Sequence, residues 1–311
     1  MISFVLNRFI SGCIVILGLT VLSFLLVHLV PGDPVQVMLG IHATPERMEE
    51  LRSQLGLDKP LWTQYVRYLS DLLHGDLGTS IKTGRPVLVE IADRFPETAK
   101  LAVSALVIAI VIGILTGTLA ARFKGSFIDA LFTGFATLGV SIPSFWLGIL
   151  LVMLFSVTLK WFPIANGTGF RDMILPAFTL GVVASTLISR LTRNGMVEAL
   201  SNDYIRTARA KGLEERTILF RHALRNVLIP VVTVIGLQLA SLIGGTVIIE
   251  QVFNWPGLGT LAIGSILSRD FPLIQGTILF MGVVYVLINM IVDILYHAID
   301  PRVEFGAKVA S

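Results

Sequence analysis

The sequence predicts an all-α integral membrane protein that crosses the bilayer six times. Its 311 residues include 54% AVILMFWYC and only 14% charged residues, whereas about a quarter of the residues in a soluble domain are charged. The mean hydropathy is +0.81. About 20 apolar residues cross the hydrocarbon core as a helix, and six segments reach that length: residues 9–30, 98–121, 128–158, 173–192, 229–250 and 273–299.

The first predicted span begins just after Arg8. Its apolar run is longer than that of a cleavable signal peptide, so we expect it to be retained. Lys and Arg flank the spans on one side, at Arg8, Arg122, Lys124, Arg190 to Arg225 and Arg302. Because cytoplasmic loops are enriched in Lys and Arg, both termini are predicted to be cytoplasmic. The same bias explains the net charge of +3, which therefore does not indicate a nucleic-acid partner.

The chain is predicted to contain a first part, residues 1–96, with one span and an extracytoplasmic segment. The five other spans follow in residues 97–303, and residues 304–311 form a cytoplasmic tail. Within the extracytoplasmic segment, "TPERMEELRSQLGL" is amphipathic, with Thr44 placed to cap a helix and Gly56 near its end. We therefore expect a small folded cap between the first two spans.

Two features of the predicted spans concern their geometry. Gly113 and Gly117 form a GxxxG pair, which is typical of close packing between transmembrane helices. The third span is long and contains Pro143. Because proline removes a backbone donor, a kinked or tilted helix is expected there.

The most highly charged stretch is residues 203–226, "DYIRTARAKGLEERTILFRHALRN". Each of its nine charged side chains costs roughly 2.5–3.5 kcal/mol at mid-membrane, so this stretch lies outside the bilayer. Asn202 or Asp203 is placed to cap a helix, and Gly212 is placed to end it. We expect a second short helix after this turn, with Pro230 in the first turn of the fifth span.

One face of the first helix in this stretch is suited to docking on another protein. Ile205 and Ala208 lie three residues apart and form an apolar spot that fits a groove. Carboxylate-binding donors and an aromatic anchor surround this spot: Arg206, Arg209, Lys211 and Tyr204. The alternative is a solvated loop that only follows the positive-inside bias.

The stretch "DYIRTARAKGL…HALRNVLIPV" resembles the cytoplasmic loop of permease subunits of bacterial binding-protein-dependent ABC importers, in the oligopeptide, dipeptide and nickel branch. Other fragments follow in the family's order: "PGDPV", "LGLDKPLWTQY", "GDLGTS", "SIPSFWLG", "VIGLQL", "FNWPGLG", "RDFPLIQ" and "NMIVDILYHAIDPR". The broad loop pattern of such importers is E-A-A followed by Gly. Ala208 and Gly212 fit it, whereas Arg206 and Thr207 replace the Glu and the first Ala, a variation usual in the peptide branch.

The resemblance implies the transmembrane domain of a type I ABC importer in the bacterial cytoplasmic membrane, with a coupling loop over residues 193–228. A coupling helix of this loop would sit in a cleft of a cytoplasmic ATPase subunit. The implied coupling residues are Asp203, Tyr204, Ile205, Arg206, Ala208, Arg209, Lys211, Gly212, Arg221, His222, Arg225 and Asn226. The implied partners are a second homologous permease, two ATPase subunits that bind ATP and Mg²⁺, an extracytoplasmic solute-binding protein and the lipid membrane.

No catalytic, metal-binding or cofactor site is predicted in the chain itself. A phosphate-binding loop needs a Gly-Lys pair, and none of the seven lysines follows a glycine. The five histidines are scattered, without the spacing of a metal site. We therefore expect ATP hydrolysis to be performed by a separate subunit.

Polar residues of the spans are candidates for a translocation path: Thr137, Ser141, Ser144, Gln238, Ser241, Thr246 and Glu250. Hydrogen bonding between helices is the alternative for all of them. Glu250 has a further alternative, since it could fix the loop that follows it. By the resemblance, that loop lies over the pore mouth and faces the binding protein with Phe253, Asn254, Trp255, Pro256 and Gly257.

The sequence thus predicts a permease subunit of an ATP-driven importer of small peptides, either dipeptides, oligopeptides or glutathione-like peptides. The branch also carries nickel and metal chelates, and this alternative stays open. Peptides are favoured because the outer region lacks a His/Met cluster suited to bare metal. An ion-coupled secondary carrier or a membrane-embedded enzyme is a remote alternative, since a carrier needs charges near mid-membrane and an enzyme needs a catalytic set of residues.

Overall fold

The computed structural model describes residues 2–29, 34–39, 43–163 and 167–299, and most of this part is helical. Three predictions concern residues outside it: the "PGDPV" turn in part, the flanking charge of Arg302, and the tail 304–311. Within the described ranges the only β-type pairing is one isolated bridge between Thr79 and Pro86. The predicted all-α class is therefore confirmed.

Fourteen α-helices are present in the described part, some of them continued by π-helical turns. They are α1 (Ile2–Leu29), α2 (Pro34–Leu39), α3 (Pro45–Leu55), α4 (Leu61–Leu73), α5 (Val87–Arg122), α6 (Phe127–Ser141), α7 (Ser144–Leu151), α8 (Phe170–Ser201), α9 (Asp203–Ala210), α10 (Glu215–Thr217), α11 (Leu224–Gly245), α12 (Val247–Val252), α13 (Leu258–Ser268) and α14 (Phe271–Ile299). The π-helical stretches are Val152–Thr158 after α7 and Ile218–Ala223 between α10 and α11.

Five described helices are long and apolar enough to cross a membrane: α1, α5, α8, the helix from Glu215 to Gly245, and α14. The pair α6 and α7 supplies a sixth span if the two are counted together. They are bent by 106° at the break, which is far sharper than the expected kink. Pro143 stands at this break, where Ile142 has extended backbone (ψ 123°) and Pro143 itself is the N-cap of α7.

The described residues form two compact units, and α5 and α14 contribute to both. The first unit contains the residues up to Thr98 together with residues 256–287. The second contains residues 99–255 and the residues from Ile288 onward. Each unit has its own packed interior.

The second unit is built around α8, which packs closely on α5 and α11. The predicted packing role of Gly113 and Gly117 is confirmed: a Cβ on Gly113 would lie 2.7 Å from the Ile188 side chain, and one on Gly117 would lie 2.5 Å from the Ser189 carbonyl oxygen. On the other side, the Gln238 amide of α11 donates a hydrogen bond to the Ala184 carbonyl at 3.0 Å. Small residues therefore let the helix backbones approach.

The first unit has a core where the start of α5 meets α13 and α14. Val87, Ile91, Leu258 and Leu273 form its buried centre, and Thr98 accepts a hydrogen bond from the Leu258 N–H at 2.8 Å. Apolar side chains complete this core: Leu77, Phe95, Leu261, Phe280 and Met281. The segment before α5 is fixed to this unit, since the Ser80 hydroxyl donates to the Asp270 carboxylate at 2.6 Å.

The predicted helix between the first two spans is confirmed as α3. Thr44 is its N-cap, and the Thr44 hydroxyl accepts a hydrogen bond from the Arg47 N–H. Gly56 ends the helix in the left-handed conformation, with φ 72°, which is favourable for glycine. Its position after α3 leads directly to α4, a second amphipathic helix.

Candidate coupling site and translocation path

The charged stretch 203–226 begins with a sharp change of direction after the long helix α8. Helix α8 ends at Ser201, and Asn202 adopts extended backbone, with ψ 151°. The short helix α9 starts at Asp203. Of the two predicted caps, Asn202 holds the N-cap position, but its side chain makes no capping hydrogen bond. The predicted short helix at this position is confirmed.

Helix α9 ends in a Schellman turn at Gly212, as the sequence predicts. Gly212 has φ 75°, and its N–H donates to the Arg209 carbonyl at 2.9 Å. The Leu213 N–H reaches back to the Ala208 carbonyl at 3.3 Å. These two bonds satisfy carbonyls at the helix end that would otherwise lack partners. The turn is therefore rigid and specific for a residue that tolerates positive φ.

Two side-chain contacts join α9 to the helix that follows the turn. The Asn226 amide donates to the Tyr204 hydroxyl at 3.2 Å. The Arg209 guanidinium forms a two-pronged ion pair with the Glu215 carboxylate, at 2.7 Å and 3.4 Å, and this hydrogen-bonded carboxylate raises the pKa of Arg209. Because the two contacts lie at either end of α9, this short helix and the following helix form one mechanical element.

The predicted docking role of Ile205 and Ala208 requires a correction. Both side chains are buried within the chain itself, with 0% and 8% of their surface exposed. The i, i+3 spacing does place them on one face of α9, but this face packs inward. They stabilise α9 on its own unit and are not available to fill a partner's groove in this conformation.

The outward surface of α9 is polar and charged. Asp203 and Arg206 expose 95% and 83% of their side chains and form an i, i+3 ion pair at 3.7 Å. Lys211 and Gly212 are exposed at the turn. On the following helix Arg221 and Arg225 are exposed, whereas His222 is half-buried. This exposed set remains the predicted ATPase-docking surface, with Tyr204 at its edge.

The second helix of the predicted helix-turn-helix is not separate from the fifth span. Helix α10, the π-helical stretch Ile218–Ala223 and α11 run as one helix from Glu215 to Gly245. Pro230 consequently lies inside this helix and not in its first turn. A π-helical turn absorbs an extra residue without breaking the helix, which explains how the charged and apolar segments remain continuous.

A bidentate ion pair that the sequence analysis missed joins α6 to α8. Arg193 donates to both carboxylate oxygens of Asp129, at 2.6 Å and 2.7 Å. The same carboxylate accepts from the Gly125 N–H at 2.9 Å and from the Thr133 hydroxyl at 3.2 Å. The sequence signal was the Ser126-x-x-Asp129 capping pattern at the start of α6. Its ion-pair partner, 64 residues away, has no local signature.

The predicted path residues divide into exposed and buried groups. Thr137 and Ser141 are exposed on α6, each bonded to the carbonyl four residues earlier, and Ser144 is half-buried at the start of α7. Ser241 is exposed on α11. Gln238 is partly buried by its bond to α8. These five positions stay a prediction for the translocation path.

Two predicted path residues are placed elsewhere. Thr246 and Glu250 are 0% exposed, so neither lines an open path in this conformation. Thr246 hydrogen-bonds the Ile243 carbonyl at 3.4 Å. The Glu250 carbonyl accepts from the Trp255 N–H at 2.7 Å. Of the alternatives for Glu250, its burial excludes the pore-facing one here, and its main chain helps to close the following turn.

The loop predicted to face a binding protein is also largely buried. Phe253 and Trp255 expose only 5% and 2% of their surface, and Gly257 is buried as well. Asn254 is exposed at φ 46°, and Pro256 is half-buried. The aromatic residues therefore anchor the loop, and within residues 253–257 only Asn254 and Pro256 are available to a partner.

A cavity of about 320 Å³ with both apolar and polar lining lies between α5, α6 and α8. Its polar lining residues are Thr133, Thr137, Ser189, Arg190, Arg193 and Asn194. Arg193 is neutralised by Asp129, whereas the exposed Arg190 guanidinium has no ion-pair partner among the described residues. An uncompensated cation within an apolar helix is costly unless water or an anion reaches it.

Known proteins resemble this sequence over nearly its whole length. The family "Binding-protein-dependent transport system inner membrane component" matches residues 96–305, and its N-terminal companion family matches residues 1–102. The chain is 42% identical over 305 residues to the glutathione transport system permease protein GsiC of Escherichia coli K12, with 98% of this chain and 100% of the relative covered. GsiC of Salmonella paratyphi A is 43% identical over the same length and coverage.

Two solved structures share the fold at low sequence identity. The inward-facing MetNI methionine ABC transporter matches with a TM-score of 0.55 and 19% identity, covering 68% of this chain and 96% of its own. An amino acid ABC transporter crystallised with histidines matches with a TM-score of 0.50 and 15% identity, covering 68% and 94%. Both support the type I importer fold.

The helical fold and these matches define a membrane-embedded transport component. The chain belongs to the family of inner membrane components of binding-protein-dependent transport systems. It is thus a multi-pass permease subunit of an ABC importer and not the catalytic subunit of its transporter.

We predict that the Arg209–Glu215 ion pair across the Gly212 turn contributes to force transmission. Replacing Glu215 with Lys places two cations together. We expect uptake per ATP hydrolysed to fall by up to about fivefold, because an exposed ion pair contributes at most about 1 kcal/mol. The double variant Arg209→Glu with Glu215→Lys should recover most of the loss. The measurement is coupled uptake and ATPase activity in proteoliposomes. Equal losses in the single and double variants would show that the pair has no coupling role.

Proposed function

We propose that this chain is the permease subunit of an ABC importer for small peptides of the glutathione type, including dipeptides and oligopeptides. The observation that carries this proposal is the 42–43% identity to glutathione permeases over 98% of the chain. The proposed partners are a second homologous permease, two ATPase subunits that bind ATP and Mg²⁺, and an extracytoplasmic solute-binding protein. Membership of a family of inner membrane components of binding-protein-dependent transport systems supports this set of partners.

The coupling segment supports a mechanism by rigid-body motion. In this mechanism the ATPase pair closes when it binds ATP and displaces α9. The backbone at Asn202, which connects α9 to α8, transmits the displacement to α8. The Tyr204–Asn226 and Arg209–Glu215 contacts transmit it to the helix that becomes the fifth span. The two helices then switch a central cavity between inward-open and outward-open states. ATP hydrolysis resets the system.

The same mechanism orients the chain in the membrane. The coupling segment must face the cytoplasm to meet the ATPase subunits. The basic residues Arg122, at the end of α5, and Lys124, in the loop before α6, are two spans earlier and therefore on the same side. We propose that both termini are cytoplasmic and that the segment with α3 and α4 is extracytoplasmic, which agrees with the positive-inside bias.

The cavity between α6 and α8 yields a prediction about substrate passage. Peptides of the glutathione type carry carboxylates, and the Arg190 guanidinium, which pairs with no carboxylate among the described residues, supplies a matching donor pair. Replacing Arg190 with Gln should lower the maximal uptake rate for glutathione about tenfold, since a charged hydrogen bond contributes about 1.5–3 kcal/mol. The Michaelis constant should change little if the binding protein determines it. Arg190→Lys should retain an intermediate rate.

A matched control for Arg190 exists on the same helix. Arg171 is exposed near the opposite end of α8 and does not line the cavity, so Arg171→Gln removes the same charge without affecting the path. An equal loss of uptake in both variants would remove Arg190 from substrate passage. The measurement is initial-rate uptake of radiolabelled glutathione into proteoliposomes.

The proposed function is tested by purifying a tagged copy from its native membrane in mild detergent and identifying what comes with it. Recovery of an ATPase and a second permease, with binding-protein-dependent uptake of glutathione or a dipeptide after reconstitution, is the expected result. ATP-driven uptake of nickel or a metal chelate, but not of peptides, would replace the substrate assignment. Transport by this chain alone, without an ATPase, would indicate a secondary carrier.

A further inference from the structure

Helix α4 carries an apolar stripe that nothing in the described structure covers. Trp62, Val66, Leu69 and Leu73 follow each other at intervals of four, three and four residues, so they lie on one line along the helix. Trp62, Val66 and Leu73 expose 73%, 46% and 87% of their surface. The polar residues of α4 lie on a different face: Thr63, Gln64, Arg67, Ser70 and Asp71.

A third face of α4 is tethered to the first membrane-spanning helix. The Tyr65 hydroxyl lies 2.9 Å from the Thr20 hydroxyl, and the Tyr68 hydroxyl lies 2.9 Å from the Ser23 hydroxyl. The Phe24 ring packs against both tyrosine rings, with centroids 5.3 Å and 5.9 Å apart. Burial at this contact raises the pKa of Tyr68. The contact is therefore specific and partly dehydrated.

The tether places α4 at a defined depth along α1. Thr20 and Ser23 lie inside the apolar stretch Leu6–Leu26 of α1, six and three residues before its end. At 1.5 Å per residue these positions are about 9 Å and 4.5 Å below the end of the stretch. Helices that lie in the membrane interface bury their apolar face about 5–10 Å into the boundary between headgroups and acyl chains. The two tyrosine contacts therefore lie in the depth range of this boundary.

Helix α1 also exposes apolar side chains at the level of the tether. Leu17, Val21, Leu22 and Leu25 of α1 are all exposed, by 39–60%. At 100° per residue, the centre of the stripe lies about 100° around α4 from the tyrosine face that contacts α1. Trp62 has an amphipathic ring of the kind enriched at membrane interfaces. Exposed apolar side chains therefore occur on both helices at the level of the tether.

We propose that α4 is an interfacial helix whose Trp62, Val66 and Leu73 stripe is embedded in the phospholipid leaflet where α1 ends. In this arrangement the polar face, with Thr63 and Ser70, points toward water. The helix holds the cap segment against the bilayer and fixes it laterally through the two tyrosines. This proposal goes beyond the transport function and does not depend on which substrate is carried.

The test is spin-label accessibility on the complete importer in phospholipid nanodiscs. Labels are attached at Trp62→Cys, Val66→Cys and Leu73→Cys in a Cys13→Ser background, with Thr63→Cys and Ser70→Cys as matched controls on the polar face. We expect the ratio of collision with oxygen to collision with a water-soluble nickel chelate to be at least fivefold higher on the stripe than on the controls. The labels need no transport activity, so failure of the substrate assignment would not affect the result.

Two outcomes would overturn the proposal. Stripe labels that collide mainly with the nickel chelate would place the stripe in water, and labels that collide with neither reagent would show that another protein covers it. A second measurement avoids the substituted cysteines. Brominated phospholipids should quench the tryptophan fluorescence of the native importer measurably more than that of its Trp62→Phe variant, and equal quenching would contradict insertion of this residue.

Discussion

Replacing Gly212 with Pro is expected to reduce ATP-driven uptake more than tenfold while the chain remains inserted. Gly212 has φ 75°, which proline cannot adopt because its ring fixes φ near −65°. The Gly212 N–H, which donates to the Arg209 carbonyl, would also be lost. The turn that fixes the end of α9 therefore opens, and displacement of α9 no longer reaches the following helix.

The control for this variant is Gly212→Asn. A Cβ at this position would meet nothing within 4 Å, and asparagine tolerates positive φ, so uptake should stay close to that of the native protein. Both variants are compared by uptake and ATPase activity in the same proteoliposomes. Full uptake by Gly212→Pro would exclude the turn from coupling. Ala208→Glu is a poor test of docking, because Ala208 is buried and a charge there disrupts the fold.

Replacing Asp129 with Ala is expected to give the largest loss of stability, about 3 kcal/mol. Asp129 exposes only 8% of its side chain and Arg193 exposes 26%. Removing one partner of a buried ion pair leaves the other charge without compensation, which costs about 3–5 kcal/mol; the partial exposure of Arg193 favours the lower end. The Gly125 N–H and the Thr133 hydroxyl would lose their acceptor as well.

This loss is measured as the free energy of unfolding by SDS in mixed micelles. The double variant Asp129→Asn with Arg193→Met removes both charges and keeps an acceptor for Gly125 and Thr133, so it should be more stable than Asp129→Ala. If the double variant is as unstable as the single one, the charge of Arg193 is not the cause. A loss below about 0.5 kcal/mol for Asp129→Ala would show that the pair is effectively solvated.

Local sequence signals predicted much of the fold. Thr44 with Gly56 and Asn202 with Gly212 bracket helices that the structure contains, because caps and turns depend on a few neighbouring residues. Apolar runs likewise predicted the spans, because insertion depends on summed hydropathy. The continuous helix from Glu215 to Gly245 was missed because charge and Pro230 indicated a boundary. A π-helical stretch and packing on α8 override that local preference.

Side-chain direction within the site was less predictable. Ile205 and Ala208 were predicted to face a partner, and Thr246 and Glu250 were candidates for the path; all four are buried. An apolar pair three residues apart indicates a face but not what that face contacts. Ion pairs between residues far apart in the sequence, such as Asp129 and Arg193, also leave no local sequence pattern from which they could be predicted.

The sharp bend between α6 and α7 limits which surfaces of the chain lipid can touch. A helix broken by 106° leaves carbonyl groups of the last turn of α6 and N–H groups of the first turn of α7 outside the regular ladder. Acyl chains offer such groups no hydrogen bonds, and irregular backbone is tolerated at membrane depth only against protein or water. The bend at Pro143 must therefore be in contact with water or covered by a neighbouring subunit. The side of this chain that carries the bend consequently faces away from the lipid.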